Sequence, residues 1–410
     1  VESVKIAVVH NLPSGGARRC LVEHCRGLRQ RGHRVEAFFP DTADEAFLPL
    51  EPVVDRVHVW RAPRPPSREA SLFGQVGLGT AWAAARLVRA LGRIHREMAA
   101  AIDEGDFDVV LATHDQFTHA PGVLRHLRTP SAYFCQEPLR FVYEAPVGLA
   151  MRPSGGLVSR AIRAAATAAA RGVLRPVDAR NTRAATMILA NSVYSHESIM
   201  RAYGRAARVV YLGVDTVRFR GLQLDRGNLV LTVGALHPAK GLDFVVASLA
   251  RIPAARRPSL VVVSDRGYGA FRERLEAQAA RCGVSLEIHM RVGEAELVEW
   301  YNRARLLAYA PYLEPFGLVA LEAMACGTPV VAVAEGGTRE SIRADETGLL
   351  TMRDEAAFAG AVDRVASDAA LASRLSVAAA AEVRRRWTWE SSTQQLEAAL
   401  ISCREAAGAV

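Results

Sequence analysis

Along nearly the whole chain, short runs that are apolar at every position alternate with amphipathic stretches of helical period. "VKIAVV", "HRVEAFF", "FDVVLAT", "SAYFCQ" and "TMILANS" are strand-like runs in the first half, with "ARRCLVEHCRGLRQRG" as an intervening helix. "NLVLTVG", "SLVVVSD", "SLEIHMR", "RLLAYAP" and "PVVAVAE" repeat the rhythm in the second half, separated by "AFRERLEAQAARCG" and "AELVEWYNRA". A strand with no polar face must be covered on both sides, and strands joined through helices run parallel. The prediction is an α/β chain of doubly wound parallel sheets.

With 410 residues, the chain exceeds the ~250–300 at which a single core stops growing, so two such domains are expected. The boundary is placed in "RAYGRAARVVYLGVDTVRF", where a helix stops at Gly204 and a short strand leads into a Gly-Val-Asp turn. This gives domains of 1–205 and 206–386, with a helix in 387–410, starting around Ser391, returning to the first. Two sheets with facing carboxyl edges would form one interdomain cleft.

Half the residues are apolar and 23% are charged, a globular balance, and no apolar run approaches the ~20 residues that span a bilayer. "VESVKIAVVH" enters a strand directly, and a cytoplasmic location is expected. The six cysteines are scattered without a Cys-x-x-Cys pair, which predicts reduced, buried residues and no metal. The formal charge of +8 fits nucleic acid, an acidic membrane surface or phosphorylated ligands and does not by itself choose among them; the expectation is of no nucleic-acid partner. The Ala- and Arg-rich segment from Arg152 to Arg175 reads either as a solvated hairpin or as a basic helix on the inner membrane face.

Three stretches carry chemistry. "YLEPFGLVALEAMACGTPVV" places Glu314 in a loop and Glu322 inside a helix expected to start at Phe316 or Gly317, after Pro315. The first N–H groups of that helix, near Gly317, Leu318 and Val319, lack internal partners and would receive a phosphate. Glu322 among Leu321, Ala323 and Met324 needs donors if buried, and vicinal sugar hydroxyls can supply two. The plainer alternative is a solvated Glu314 and a Glu322 paired with an arginine. "LTVGALHPAKGLDF" runs from a strand into Gly234 and a loop with Lys240, one of only two lysines, the other being Lys5. An ammonium at a strand's carboxyl end is a point-charge partner for a diphosphate. "NLPSGGARRCLVEH" sets Gly15 and Gly16 before a helix, without the third glycine of a dinucleotide fingerprint.

Together with "ANSVYSHESIMRAYGRAARVVYLGVDTVRF" and "VAEGGTRESIRADETGLL", these stretches resemble the retaining glycosyltransferases of family four, of the GT-B class. The resemblance implies two facing Rossmann-like domains and a UDP- or GDP-linked sugar donor held mainly by the second. In it Glu322 would hold the ribose hydroxyls, Glu314 the transferred sugar and Lys240 the diphosphate. Phe316, Gly317 and Leu318 would add backbone donors, Gly16 would approach the phosphates, and Arg291 and Val292 would seat the base. It also implies no metal or other cofactor. The implied activity moves a hexose to a hydroxyl acceptor, chosen by the first domain.

Two positions depart from the family pattern. Ala235 stands where relatives have an arginine, which His237 or Arg266 could replace. Gln136 stands where relatives often have a histidine; glutamine hydrogen-bonds but takes no proton. His114 and His119 are the spare acceptor-side residues, each also readable as structural. "HDQFTHAPGVLRHLRTPSAYFCQEP" is further similar to mannosyltransferases that extend lipid-linked oligosaccharides, which adds GDP-mannose as a donor. Ala235 and Gln136 also leave open a non-catalytic sugar-nucleotide or glycan-binding protein, and the shared fold leaves open a nucleotide-sugar epimerase.

Overall fold

The computed structural model describes residues 2–46, 48–62, 78–144, 172, 174–267 and 269–408. The segment carrying Arg152 to Arg171, and with it most of the predicted basic helix, lies outside them. The chain divides into two compact units, with the break in the main chain between Tyr211 and Leu212 and the second crossing between Ser391 and Ser392.

The first unit is built on a parallel sheet of seven strands in the order β3-β2-β1-β4-β5-β6-β7. They are β1 (Lys5–Asn11), β2 (Arg34–Pro40), β3 (Arg56–Trp60), β4 (Val109–Asp115), β5 (Ser131–Phe134), β6 (Met187–Ala190) and β7 (Arg208–Val209). Ala7, Val8, Val110, Leu111, Ala132 and Leu189 are fully buried, as strands covered on both faces require. β3 escaped the sequence reading because it is an edge strand with exposed and half-buried positions, and β7 because it has two residues.

Helix α1 (Gly16–Gln30) follows β1, and Gly15 at its N-cap has φ 132°, a conformation for which glycine is the natural residue. Helix α2 (Leu78–Asp103) precedes β4. Helix α3 (Val193–Tyr203) is capped by Ser192, whose hydroxyl accepts from Ser195 N–H, and ends at the left-handed Gly204. The predicted stop at Gly204 is therefore a physical one. Lys5 donates to Gly105 O and lies 4.4 Å above the Phe107 ring, a role within the fold.

The second unit carries a parallel sheet ordered β10-β9-β8-β11-β12-β13. Its strands are β8 (Leu229–Val233), β9 (Ser259–Ser264), β10 (Leu286–Met290), β11 (Leu306–Tyr309), β12 (Val330–Val333) and β13 (Leu349–Thr351). Its helices include α4 (Leu242–Ala250), α5 (Gly269–Arg281), α6 (Glu294–Arg303), α7 (Leu318–Ala325), α8 (Glu355–Ser367) and α9 (Ala369–Arg386). One core joins Val230, Leu260, Leu306 and Val331 of the sheet to Val245, Leu249, Phe358 and Val362 of α4 and α8.

The last helix, α10 (Trp389–Gly408), starts two residues before the expected Ser391. From Ser392 onward it belongs to the first unit and packs along α1. Ser392 Oγ lies 2.8 Å from His24 Nε2 and donates to Tyr211 O at 2.6 Å, and Glu397 takes Arg31 at 2.6 Å and His33 at 2.7 Å. Gly27 of α1 has no room for a side chain there: an added Cβ would stand 2.4 Å from Thr393 Oγ1. All six cysteines are free; five are buried and Cys282 is partly exposed, which corrects the expectation for that one residue.

Candidate functional site

Strand order decides where each unit can bind a ligand. In the second unit the chain winds from β8 through β9 to β10 on one side, then returns to lay β11, β12 and β13 on the other. The switch point is therefore the crevice at the carboxyl ends of β8 and β11, where neighbouring loops leave in opposite directions. The Lys240 loop follows β8 and the Glu314 loop follows β11.

Across that crevice Lys240 Nζ donates to Glu314 Oε2 at 2.9 Å. Lys240 is aimed by its loop. Gly234, with φ 154°, lets the lysine stem lie about one van der Waals contact away, 3.5 Å from where a Cβ would stand. His237 caps the short turn Pro238–Lys240 by accepting Ala239 N–H at 3.1 Å. The turn ends on left-handed Gly241, where a Cβ would collide with Ala310 O at 2.0 Å. Ala239 O in turn accepts Tyr312 N–H at 2.9 Å, tying the two loops together.

The Glu314 loop is clasped from the other side by residues the sequence reading did not select. Arg353 makes a two-pronged pair with Glu335 at 2.7 and 2.8 Å and donates to Ala310 O and Pro311 O at 3.0 and 2.8 Å. Its guanidinium lies 3.8 Å from the Tyr312 ring centroid. Glu335 accepts Leu313 N–H, and Gly337 N–H donates to Glu314 O at 2.7 Å. Gly336 and Gly337 pass so close that a Cβ on either would stand 2.2 Å from Glu314 O or Pro315 O. This close backbone approach is what the two glycines of "EGGT" are needed for.

α7 begins at Leu318, one or two residues later than predicted, because Gly317 is its left-handed N-cap at φ 98°. Only glycine adopts that conformation without strain. Phe316 is not an open contact surface: it is buried with its ring 5.6 Å from Trp387, which leaves its backbone as the group to consider. The N–H groups of Leu318 and Val319 precede the first intrahelical acceptors, while Ala320 N–H turns back to Gly317 O.

Glu322 lies one turn further into α7, 8% exposed, and accepts the Tyr301 hydroxyl of α6 at 2.8 Å. Burial, with the carboxylate beside it, pushes the Tyr301 phenol well above its ordinary value, so the phenol stays a donor. Tyr301 is the donor that the buried carboxylate required, and its place on a different helix hid it from the sequence.

Arg266 and Arg291 are brought to the ends of β9 and β10 through Ser264. Ser264 Oγ donates to Arg266 O at 2.7 Å, and Ser264 O accepts Arg291 N–H at 2.7 Å. Both arginines are exposed, Val292 is half-buried, and Arg291 holds a left-handed φ of 55°. Gly234, Lys240, Arg266, Arg291, Glu314 and the start of α7 thus share one edge of one sheet. Ala235 is half-buried next to Gly234, and Leu236 N–H donates to Arg266 O at 2.9 Å, so the backbone of Arg266 is joined to this loop.

The first unit has its own switch point between β1 and β4, bridged by Asn11 Nδ2 donating to Asp115 at 2.9 Å. Gly16 opens α1 on one side, and His114 and His119 stand on the other. Arg18, two residues past Gly16, is fully buried and meets Glu45 at 2.7 Å and the His10 ring at 3.1 Å. Gln136 follows β5, its carbonyl accepting the Ser195 hydroxyl at 2.8 Å. Burial pulls His114 down to about 3 and His119 to about 4, so both imidazoles are neutral at pH 7.

Among the described residues no helix is long and apolar enough to cross a membrane. Residues 14–218 match the family described as Glycosyltransferase Family 4, and residues 214–382 match Glycosyl transferases group 1. The chain is 34% identical over 233 residues to the D-inositol 3-phosphate glycosyltransferase of Streptomyces bingchenggensis, an alignment spanning 51% of each chain. It thus spans about half the length of that relative. To the enzyme of the same name from Xylanimonas cellulosilytica it is 29% identical over 405 residues, 92% of this chain and 89% of that one.

Two solved structures share its fold. A sucrose-phosphate synthase from Thermosynechococcus elongatus superposes with a TM-score of 0.71 at 21% identity, covering 98% of this chain and 100% of that one. HepE of Anabaena, in complex with UDP-glucose, gives 0.73 at 21% identity over 97% and 100%. The parallel sheets, their strand order and these matches together make the fold GT-B, and the chain belongs to glycosyltransferase family 4.

Proposed function

We propose that this chain is a retaining glycosyltransferase that moves a hexose from a nucleotide diphosphate sugar to a hydroxyl acceptor. The observation that carries the reading is the Lys240–Glu314 pair across the β8/β11 switch point, beside the glycine-capped start of α7. A diphosphate arriving there meets an ammonium and a helix N-terminus, and Glu314, released from its lysine, becomes an acceptor for sugar hydroxyls. Glu322 lies deeper, oriented by Tyr301, and as a carboxylate it is suited to accept from vicinal ribose hydroxyls.

In the reaction the bond between the sugar's anomeric carbon and the diphosphate oxygen breaks, and the acceptor hydroxyl forms the new bond on the same face. Its proton passes to the departing phosphate oxygen, which removes the need for a general base and makes Gln136 compatible with turnover as a hydrogen-bonding residue. Lys240 and the α7 backbone offset the charge that develops on the diphosphate, so we propose that no divalent ion is needed for that step. The UDP-glucose held by HepE supports a UDP-linked donor, and the name of the Streptomyces relative makes D-inositol 3-phosphate an acceptor to try.

The experiment is a panel of UDP-, GDP- and dTDP-linked sugars, GDP-mannose included, in buffer free of magnesium and manganese. Slow release of nucleoside diphosphate without acceptor, rising with acceptor and giving a product of unchanged anomeric configuration, is expected. Isomerised donor would identify an epimerase, and binding without turnover a sugar-nucleotide-binding protein; either outcome sinks the proposal.

A further inference from the structure

His114, His119 and Cys135 have no part in the chemistry above, yet their reactive atoms converge. His114 is near the end of β4, His119 sits in the turn behind it at φ 65°, and Cys135 directly follows β5. His114 Nε2, His119 Nε2 and Cys135 Sγ lie 3.1, 2.8 and 3.2 Å from a single acceptor, the backbone oxygen of Glu137. The three side-chain atoms are all within 4.8 Å of one another, and the two imidazole centroids are 4.5 Å apart.

As a purely hydrogen-bonded arrangement this is crowded. A carbonyl oxygen has two lone pairs, and three donors compete for them. Two nitrogens, one sulfur and one oxygen gathered this closely are instead a donor set that one four-coordinate ion could draw together. For M–N and M–O lengths of about 2.0–2.1 Å the tetrahedral N···O edge is about 3.3 Å, a few tenths longer than the two observed. Small ring rotations close that difference.

We infer that His114 Nε2, His119 Nε2, Cys135 Sγ and the Glu137 carbonyl form a site for a borderline divalent cation of the Zn2+ kind. The sequence expectation was of no metal, since the three residues are spread over "HDQFTHAP" and "FCQEP" with no ligand spacing to read. Nitrogen with one thiolate favours such an ion over Mg2+ or Ca2+, which take oxygen ligands. On binding, the Cys135 thiol proton leaves to solvent, and each imidazole keeps its proton on Nδ1 so that Nε2 can ligate. The ion would tie the end of β4 to the residues after β5 and thereby fix the loop that carries Gln136. It is a structural site, four-coordinate with protein groups alone, separate from the diphosphate chemistry of the other unit.

The test uses the tag-free full chain, stripped by a chelator and titrated with Co2+ as a spectroscopic substitute, alongside metal analysis of the untreated protein. One equivalent of Zn2+ in the untreated chain is expected, and saturation by one equivalent of Co2+ with a thiolate charge-transfer band. Cys135→Ser should lose that band, and His114→Gln, altered at a partly exposed ring, should weaken Co2+ binding at least tenfold with its circular dichroism unchanged. Absence of the band in the native chain, its survival in Cys135→Ser, or undiminished binding in His114→Gln each overturns the inference. Should Cys135→Ser fail to fold, His114→Gln decides alone.

Discussion

Lys240 and Glu322 show how much a single side chain owes to its immediate surroundings. Lys240 stood out in the sequence because arginine fills almost every other basic position, and the structure seats it against Glu314 at the switch point. Replacing it with alanine removes one positive group from the departing diphosphate, so kcat should fall by about 10²–10³, or ~2.7–4 kcal/mol. Steady-state kinetics with the donor found in the panel would measure this, and an undiminished kcat would remove Lys240 from the mechanism. Glu322→Gln keeps an oxygen for the Tyr301 hydroxyl and preserves the fold, but it loses a charged acceptor worth about 1.5–3 kcal/mol. Calorimetry should record nucleotide affinity weakened by about 10–100-fold; the same affinity in the variant would mean the carboxylate faces no ribose.

Loops and helices add what no residue has alone. The sequence located the Glu314 loop and α7 but gave no hint of Arg353, eighteen positions beyond its partner Glu335 and following the short edge strand β13. Together these two residues hold the backbone at Ala310, Pro311 and Leu313, and Gly337 holds Glu314 itself. Breaking a largely buried, two-pronged ion pair costs about 3–5 kcal/mol, so Arg353→Ala should lower the melting temperature and, by loosening the Glu314 loop, kcat/KM as well. Arg353→Lys should recover only part of both, because an ammonium cannot reproduce the planar fork. A variant that melts early but turns over normally would show that Glu314 does not depend on this clasp. The same element-scale view explains the late start of α7: the pattern of apolar residues marks the helix, whereas Gly317, in a left-handed conformation, marks where its first turn begins.

At the scale of the whole chain, the last helix closes back on the first unit by way of Glu397, whose partners Arg31 and His33 lie some 360 positions earlier. Burial raises the Glu397 pKa, but the hydrogen bonds and charges of Arg31 and His33 outweigh it, and the folded value lies below the ordinary 4.5. A depressed carboxylate stabilises the fold above its unfolded value, and that contribution is lost as pH falls through the folded one. Thermal melts from pH 7 to pH 3 should therefore show the native chain losing stability below about pH 4.5 more steeply than Glu397→Gln; parallel curves would mean the carboxylate contributes nothing to this docking. What the sequence alone determined is the alternation that makes two parallel α/β sheets, the helix stop at Gly204, and the identity of the charged residues at the strand ends. These depend on local periodicity and on glycine's freedom of φ, which neighbouring residues set. Strand order is a long-range property, and it was the tertiary structure that put the β8 and β11 loops side by side, supplied Tyr301 to Glu322 and Arg353 to Glu335, and gathered His114, His119 and Cys135 about one carbonyl.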